Sequence, residues 1–196
     1  MLTSNRAKKL RTVASNRQSG FVVVLEDIHD PHNAAAVLRT CDAFGIQDVY
    51  FIFEQEKPFN PRRVGKATSS SANKWLTFTV SNSTKKTLQK LKKQGYEIIA
   101  TVANTNARDI FATKLTSKKV AVLIGNEHRG LSSDTIELAD TLITIPMLGM
   151  VQSLNLSVTA AILMFEITRQ RQKQKKQYLL SAALADKLYR QFVKKQ

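Results

Sequence analysis

The sequence has few residues that could stabilise the chain through covalent or metal links, and it has no long apolar run. Its 196 residues include a single cysteine, Cys41, so an intrachain disulfide is excluded. The three histidines, His29, His32 and His128, are too scattered to predict a metal site. The longest apolar runs, such as residues 158–165, are far shorter than the roughly 20 residues of a membrane span. These absences favour a protein of the reducing cytoplasm, with no membrane segment and no bound metal.

Several widespread catalytic motifs are also missing. There is no G-x-G-x-x-G pattern for a dinucleotide, and Gly65-Lys66-Ala67 lacks both the upstream glycine and the Ser or Thr of a phosphate-binding loop. Ser153 does not lie in the G-x-S-x-G context of a hydrolase. Residues 1–17 are basic and have no apolar centre, so they predict no secretory signal.

What the chain has in excess is positive charge. Thirty Lys and Arg residues face fifteen Asp and Glu residues, which gives a net charge of +15. Residues 1–20 and 169–196 hold fourteen of the basic residues but only one acidic residue, Asp186. A near-neutral core with two cationic ends suits a protein that binds a polyanion, although solvated, partly disordered tails would give the same count. Because both ends also show helical signals, the pattern favours a nucleic-acid partner.

Residues 20–168 alternate short apolar runs with helical periodicity, which is typical of a single α/β domain. An apolar content of 43% and a charged content of 23% are those of a soluble globular protein. The predicted strands are 21–25, 48–53, 76–80, 96–102, 119–124 and 141–145, and the predicted helices are 33–44, 83–94, 132–139 and 154–169. Because the strands are continuously apolar, they predict a parallel sheet covered by helices on both faces.

Two short basic extensions, residues 1–19 and 169–196, flank this core. In the second extension an apolar residue recurs every four positions, at Leu180, Leu184, Leu188 and Phe192. Such a stripe predicts a helix that packs against another part of the molecule. The first extension shows only a hint of a helical face.

Polar residues gather in three loops that follow predicted strands, where open α/β sheets bind their ligands. The first loop, residues 30–33, opens the helix that carries Arg39, and the second is residues 125–130. The third lies within the apolar segment 145–166 and contributes Gln152, Ser153, Asn155 and Ser157. Buried polar side chains cost free energy unless they find partners, so this segment predicts a pocket whose polar groups bind a ligand.

Each of these residues also has a purely structural explanation. Asn33 is a good helix N-cap, and Ser153 or Asn155 is a possible cap for the last helix of the core. Arg39 has a possible ion-pair partner in Asp42, one turn further along the same helix. The glycines of the second loop suit left-handed backbone angles in a turn.

Taken together, the three loops resemble the ordered motifs of the SpoU/TrmH branch of the SPOUT RNA 2′-O-methyltransferases. The matching patterns are Asn33-x5-Arg39, Gly125-Asn126-Glu127-x-x-Gly130 and Ile145-Pro146-Met147-x-Gly149-x3-Ser153-Leu154-Asn155. The resemblance covers about residues 20–168 with the spacing intact. It implies an α/β fold whose segment 125–166 is threaded into a trefoil knot, against the general rule for protein chains. It also implies S-adenosylmethionine as cofactor and a homodimer.

The resemblance also implies roles for individual residues. Arg39 would lie beside the ribose 2′-hydroxyl as the catalytic residue, with Asn33, Glu127, Ser153 and Asn155 completing the site. An RNA phosphate would help to activate the hydroxyl. The cofactor would be held mostly by backbone groups of Thr101, Val102, Ala103, Gly125, Ile145, Met147 and Leu154.

The short basic extensions indicate which RNA is modified. Branch members that act on the tRNA wobble ribose are essentially core alone, and the ribosomal RNA enzymes carry a separate globular N-terminal domain. This chain instead resembles members that methylate guanosine 18 in the D-loop of tRNA, also in the stretches 68–75 and 165–172. The predicted RNA contacts are Arg6, Lys8, Lys9, Arg11, Arg17, Arg169 and Arg171.

Two alternatives to this function stay open at the level of sequence. The first is methylation of another RNA site, in ribosomal RNA or at the tRNA wobble ribose. The second is a non-catalytic RNA-binding protein on the same scaffold, which predicts the loss of Arg39, Asn33 or Asn155. All three residues are present.

Overall fold

A computed structural model gives the fold over residues 2–65, 69, 71–103, 106–174 and 178–196. Lys175 and Lys176 of the basic C-terminal extension lie outside these residues, as do positions 68 and 70 of the stretch 68–75. No helix of the described part is long and apolar enough to cross a membrane.

One parallel sheet forms the centre of the described structure. Its strands in chain order are β1 (Phe21–Glu26), β2 (Asp48–Ile52), β3 (Thr77–Ser81), β4 (Glu97–Thr101), β5 (Arg108–Asp109), β6 (Val120–Ile124) and β7 (Thr141–Thr144). They lie in the order β3-β2-β1-β6-β4-β7-β5, and every neighbouring pair is parallel. The adjacent strands β1 and β6 are buried along their whole length, which explains why their sequences are unbroken apolar runs.

Helices cover both faces of the sheet, as the sequence predicts. They are α1 (Ser4–Ser15), α2 (Pro31–Ala43), α3 (Thr84–Lys93), α4 (Ser133–Leu138), α5 (Leu156–Gln172) and α6 (Ala182–Val193). Helices α2 and α5 pack together over a core that includes Val23, Phe51 and Val122. Helix α3, next to α4, packs over Val24 and Leu123 on the opposite face. The prediction of a parallel sheet between two helical layers is confirmed.

The two basic extensions pack against each other through helices α1 and α6. Leu10 and Ala14 of α1 and Leu188 and Phe192 of α6 form a separate small core. The apolar stripe of the C-terminal extension is therefore buried at two of its four positions, whereas Leu184 is half exposed. The predicted domain boundary after residue 168 falls inside α5, because this helix continues to Gln172.

Most predicted elements are present with ends shifted by one to three residues. The first helix of the core begins at Pro31, because the Asp30 carboxylate accepts the His32 N–H at 2.8 Å and acts as the N-cap. Asn33 is therefore not the cap, and its side chain is left for other contacts. Strand β5 was not predicted, since two residues give no periodic signal. The threading of residues 125–166 into a knot stays a prediction.

Candidate active site

All strands of the sheet run in the same direction, so their carboxyl ends meet at one edge, here called the carboxyl edge. The loops that follow β1, β6 and β7 lie at this edge, together with the end of β4. The opposite edge, called the amino edge, carries the residues that precede the strands. The three polar loops predicted from the sequence therefore share one side of the sheet.

Glu127, in the loop after β6, connects this loop to the one after β1. Its carboxylate oxygens accept the backbone N–H groups of His29 at 3.0 Å and Asp30 at 3.3 Å. The side-chain amide of Asn33 donates to the same carboxylate at 2.9 Å. Burial alone would raise the pKa of Glu127, but the hydrogen bonds from Asn33 and from the backbone N–H groups outweigh it and hold this pKa below its ordinary value. Glu127 is therefore an ionised acceptor that fixes the loop after β1.

Asn33 and Asn155 extend these hydrogen bonds to the loop after β7. Asn155 Nδ2 donates to Asn33 Oδ1 at 3.1 Å. Asn155 Oδ1 accepts the backbone N–H of Ser157 at 2.8 Å and its hydroxyl at 2.6 Å, so Asn155 is also the N-cap of α5. The predicted capping role of Asn155 is confirmed, and the residue has a second contact that a cap does not need. Glu127, Asn33 and Asn155 thus link three loops in one hydrogen-bonded chain.

Arg39 lies further along α2, and its side chain is exposed. The predicted structural alternative, an ion pair with Asp42, is wrong because the Asp42 carboxylate pairs with Arg17. Within the described part of the chain, Arg39 has neither a hydrogen-bond partner nor an ion-pair partner for its guanidinium. Its five N–H donors are therefore available to a ligand.

The loop before α5 is more exposed than the sequence predicts. Gln152, Ser153 and Asn155 are exposed rather than buried, which corrects the prediction of a pocket with buried polar groups. The loop lies outside the core, which the chain re-enters only at Leu156. Ser153 lies two residues from Asn155, but no hydrogen bond within the described residues joins it to the chain of Glu127, Asn33 and Asn155.

The residues predicted to hold the cofactor follow three neighbouring strands. Because β4 lies between β6 and β7, the ends of these strands bring together Thr101, Gly125 and Ile145. The remaining four lie in the loops that continue from β4 and β7: Val102, Ala103, Met147 and Leu154. The sheet order, which the sequence did not reveal, is what places these segments side by side.

The Thr101 side chain indicates whether the ends of β4, β6 and β7 suit a polar ligand. Its Oγ1 is buried and has no hydrogen-bond partner in the described structure. An unpaired buried hydroxyl costs free energy, and a polar atom of a bound molecule at the carboxyl edge would remove that cost. The position therefore fits a ligand with hydrogen-bonding groups, such as the predicted cofactor.

Gly125 and Gly130 give the loop after β6 its shape. A Cβ atom at Gly125 would lie 2.4 Å from the carbonyl carbon and oxygen of Gly130, so a larger residue does not fit. Gly130 has a φ of 71°, the predicted left-handed angle, whereas Gly125 has no positive φ, so that prediction is wrong for Gly125. Two backbone hydrogen bonds of 2.9 Å between Asn126 and Gly130 close the loop and present Glu127.

Sequence analysis missed two acidic residues that organise the site. Asp27, with a φ of 50°, accepts the backbone N–H groups of residues 54–56 at 2.8, 2.9 and 3.0 Å through one carboxylate oxygen. Glu56, thereby held in place, contacts His29 and Arg129. A polar residue directly after a buried strand was a usable signal for Asp27, but Glu56 comes from a long loop without periodicity.

Two of the seven residues predicted to contact RNA are buried. Arg17 is 1% exposed and pairs with Asp42, and Arg171 is 1% exposed and donates to backbone carbonyls that include those of Ser19 and Gly20. A guanidinium held inside the molecule by its own chain is not available to a phosphate, so the prediction is wrong for these two residues. The other five have exposed side chains: Arg6, Lys8, Lys9, Arg11 and Arg169.

The basic ends of the chain lie at the amino edge, away from the three loops. The Gln18 N–H donates to the carbonyl of Gly45, just before β2, at 2.7 Å. The Phe192 ring of α6 contacts Trp75, just before β3, with ring centres 5.4 Å apart. Arg171 donates to Gly20, just before β1, so the end of α5 lies there as well. The charge of the extensions is thus separated from Glu127 and its partners by the length of the strands.

Comparison with known proteins gives a consistent result. Residues 20–165 match the family model of the SpoU rRNA Methylase family. The chain is 40% identical over 171 residues to the tRNA (guanosine(18)-2'-O)-methyltransferase of Thermus thermophilus. This alignment covers 87% of this chain and 86% of that protein. It superposes on the A. aeolicus TrmH/SpoU tRNA modifying enzyme with a TM-score of 0.87 at 29% identity, covering 97% and 95% of the two chains. An AdoMet-bound rRNA methyltransferase from Sinorhizobium meliloti gives a TM-score of 0.68 at 26% identity, covering 82% of this chain and 59% of that one.

Proposed function

The chain belongs to the SpoU rRNA methylase family, and from that premise we propose that it methylates the ribose 2′-hydroxyl of guanosine 18 in tRNA, with S-adenosylmethionine as methyl donor. The name of its Thermus thermophilus relative supports the target, and the AdoMet-bound structure supports the cofactor. One observation carries the placement of the active site. Glu127, Asn33 and Asn155 join three loops at the carboxyl edge by hydrogen bonds, and Arg39 stands on the same helix as Asn33 without a partner in the described structure.

The side chains of Asn33, Glu127 and Asn155 position the ribose rather than remove its proton. Glu127 already accepts three hydrogen bonds, and its lowered pKa makes it a weak base. The two amides are held in one orientation by their bonds to each other and to Ser157. We place Ser153, exposed in the same loop as Asn155, at the wall of this site. Such a fixed wall lowers the entropic part of the barrier by holding the hydroxyl in line for attack.

Arg39 is the group that we assign to the reacting oxygen. A guanidinium keeps its proton at all working pH values, so Arg39 is a donor and not a base. Donors aimed at an oxygen stabilise the negative charge that develops there. We assign the departing proton to the RNA phosphate that the family resemblance implies for activating the hydroxyl. Bound S-adenosylmethionine supplies an activated methyl group, and the groups that would hold it are the Thr101 hydroxyl and the backbone at Gly125 and Ile145. We also place the protein in the cytoplasm, which suits a free, buried Cys41.

We further infer that two copies of the chain form a homodimer through α5. Val158, Ile162 and Phe165 recur at helical spacing on this helix, and Val158 and Phe165 are 46% and 54% exposed. In the loop just before the helix, Leu148 and Met150 are fully exposed. Exposed apolar side chains of this kind mark a protein interface, and we propose that a second copy of the chain covers them. Asn155 is the N-cap of α5, so the interface would adjoin the active site.

The experiment that tests the proposed function is incubation of the protein with unmodified tRNA and labelled S-adenosylmethionine. We expect one labelled ribose, and mapping should locate it at guanosine 18. Label on the ribose of another nucleotide would support 2′-O-methylation but refute guanosine 18 as the target. A protein that binds tRNA but neither binds the cofactor in calorimetry nor transfers methyl would instead be a non-catalytic RNA-binding protein.

The same assay tests the role of Arg39. The Arg39→Ala variant should lower the single-turnover rate at saturating tRNA by roughly 10²- to 10³-fold, because it removes donors that act on a developing charge. Its affinity for S-adenosylmethionine should not change, since the predicted cofactor contacts lie at the end of β4 and in the loops after β4, β6 and β7, not on α2. Arg190→Ala, which removes an exposed arginine of α6, is the matched control and should retain the rate. Full turnover by Arg39→Ala would remove this residue from the mechanism.

A further inference from the structure

The Glu56 carboxylate at the carboxyl edge contacts two basic side chains, and a third basic side chain lies beside one of them. His29 Nδ1 lies 3.1 Å from Glu56 Oε2, and Arg129 Nη2 donates to Glu56 Oε1 at 2.7 Å. The ring of His128 contacts the ring of His29 edge-on, with centres 5.9 Å apart. His29 comes from the loop after β1, and the other two basic residues come from the loop after β6. None of the four side chains has a role in the mechanism proposed above.

This basic cluster, defined as His29, His128 and Arg129, is open to solvent. The side chains of His29 and Arg129 are 62% and 48% exposed, whereas that of Glu56 is only 17% exposed. Among the described residues, Arg129 uses one of its guanidinium nitrogens in the bond to Glu56, and its other guanidinium N–H groups have no partner. The hydrogen bond and the charge of Glu56 raise the pKa of His29, which favours its cationic form. The Glu56 carboxylate therefore holds the side chains of His29 and Arg129 and neutralises only part of their charge.

The cluster adjoins the proposed active site directly. The backbone N–H of His29 donates to Glu127, the same carboxylate that accepts the amide of Asn33. His128 and Arg129 follow Glu127 in sequence, and their backbone N–H groups donate to Asn126 at 2.8 and 3.0 Å. A ligand bound at the cluster would therefore lie within one or two residues of the group that positions the ribose.

A cationic group at the carboxyl edge can bind the RNA phosphates beside the reacting ribose, which the basic extensions are too far away to reach. The extensions lie at the amino edge, and a strand of five residues spans roughly 16 Å at 3.3 Å per residue. An RNA strand carries a phosphate on each side of the reacting ribose, and these phosphates need partners beside the site. Lys and Arg contacts to phosphates set the register of a bound nucleic acid, which an enzyme that modifies one ribose requires.

We propose that His29, His128 and Arg129 form a binding subsite for a backbone phosphate of the substrate RNA next to the reacting ribose. The inference rests on the proposed function, and it adds a specific phosphate contact to it. Glu56 is a positioning residue: it holds Arg129 and His29 in place in the free protein, and the phosphate takes over donors that Glu56 does not use. The two imidazoles contribute N–H donors, and Arg129 contributes a fork suited to two phosphate oxygens.

The test compares Arg129→Gln with Lys92→Gln in tRNA binding at several salt concentrations. Each variant removes one positive charge from a partly exposed ion pair, but the pair of Lys92 with Asp140 (2.9 Å) lies at the amino edge, just before β7. We expect Arg129→Gln to weaken tRNA binding roughly tenfold, as for the loss of a charge-assisted hydrogen bond. It should also reduce the slope of log K against log salt by about 0.7–0.9, because the variant neutralises one RNA phosphate fewer. Lys92→Gln should bind tRNA as the unmodified protein does.

Two results would overturn the subsite. The first is an Arg129→Gln variant whose tRNA affinity and salt slope equal those of Lys92→Gln. The second is an Arg129→Gln variant that binds tRNA normally but binds S-adenosylmethionine weakly. That result would show that the cluster binds the carboxylate of the cofactor and not an RNA phosphate. His128→Gln provides an independent variant, since its side chain makes no ion pair in the described structure; it should also weaken tRNA binding. Absence of methyl transfer by the unmodified protein would refute the proposed function instead, because the binding comparison does not need turnover.

Discussion

At the scale of single residues, Glu127 shows how the site keeps a fixed negative charge beside the proposed position of the ribose. Its carboxylate is the common acceptor for Asn33 and for two backbone N–H groups of the loop after β1. These bonds are strongest when the group is ionised, so they stabilise the folded loop and lower the pKa together. The residue is more useful to the site as a fixed anion than as a proton acceptor.

This linkage predicts a pH-dependent difference between the protein and its Glu127→Gln variant. Because the folded-state pKa lies below the unfolded value of about 4.3, the carboxylate contributes stability above that pH. The contribution is lost as the pH falls through the folded-state pKa. Urea denaturation should therefore show the variant to be less stable at pH 7, and the gap should close in acid. Glu137→Gln, on the exposed face of α4, is the control and should show no such gap. A gap that is the same at all pH values would contradict the prediction.

At the scale of elements, α2 connects the two edges of the sheet. It begins at the carboxyl edge with Asn33 in its first turn, carries Arg39 in its middle, and ends at the amino edge with Asp42. Arg17, just after α1, pairs with Asp42 and also donates to the carbonyls of Asp42 and Ile46. The basic N-terminal extension is thereby attached to the helix that holds the proposed catalytic residue.

A comparison of two arginines tests this attachment. Arg17→Ala should lower the free energy of unfolding by about 2–3 kcal/mol, because it leaves the carbonyls of Asp42 and Ile46 without the donor of a side chain that is only 1% exposed. Arg11→Ala removes a similar pair with Asp186, but its side chain is 60% exposed. It should cost at most about 1 kcal/mol, as is usual for surface pairs. Equal losses for the two variants in urea denaturation would show that burial of Arg17 has no energetic consequence.

At the scale of the whole molecule, the charge and the chemistry lie on opposite edges. The five exposed residues still predicted to contact RNA lie at the amino edge, and the hydrogen-bonded chain of Glu127 lies at the carboxyl edge. Removal of the extensions would not be a clean test of their charge, because it would delete the small core of α1 and α6, uncover Trp75, which packs against that core, and delete Arg17. Substitution of exposed residues such as Lys8 and Lys9 separates charge from folding.

The proposed dimer gives a prediction at the same scale. Phe165→Glu should convert the protein from dimer to monomer in light scattering, because it buries a charge in the apolar surface of α5. Leu184→Glu is the matched control: Leu184 is 50% exposed on α6, outside the proposed interface, and its substitution should leave the dimer intact. Val158→Glu offers a second variant on the α5 surface, in case removal of the Phe165 ring from its packing against Phe44 disturbs the protomer. Monomers for all proteins, the unmodified chain included, would refute the interface.

The sequence predicted the main elements of the core because strands such as β1 and helices such as α2 carry strong apolar periodicity. It also placed Asn33, Glu127 and Asn155 in three loops after strands, and the structure joins them. The sequence wrongly predicted burial of the polar residues before α5. The segment around Ser153 is apolar, and apolar composition predicts burial even for a segment that lies outside the core. The prediction from sequence failed for Arg17 and Arg171 too, since a basic residue in a charged extension looks exposed until its neighbours are known.

The alternation of strands and helices, the family motifs and the excess of charge at both ends can all be read from the linear sequence. These features depend on residue type and spacing along the chain, which local periodicity and short motifs record. Three other facts were visible only in the folded chain: β4 lies between β6 and β7, Glu56 organises the basic cluster, and the extensions fold together at the amino edge. Each of them depends on contacts between residues far apart in the chain. Such contacts are selected by the packing of the whole molecule, and no single segment encodes them.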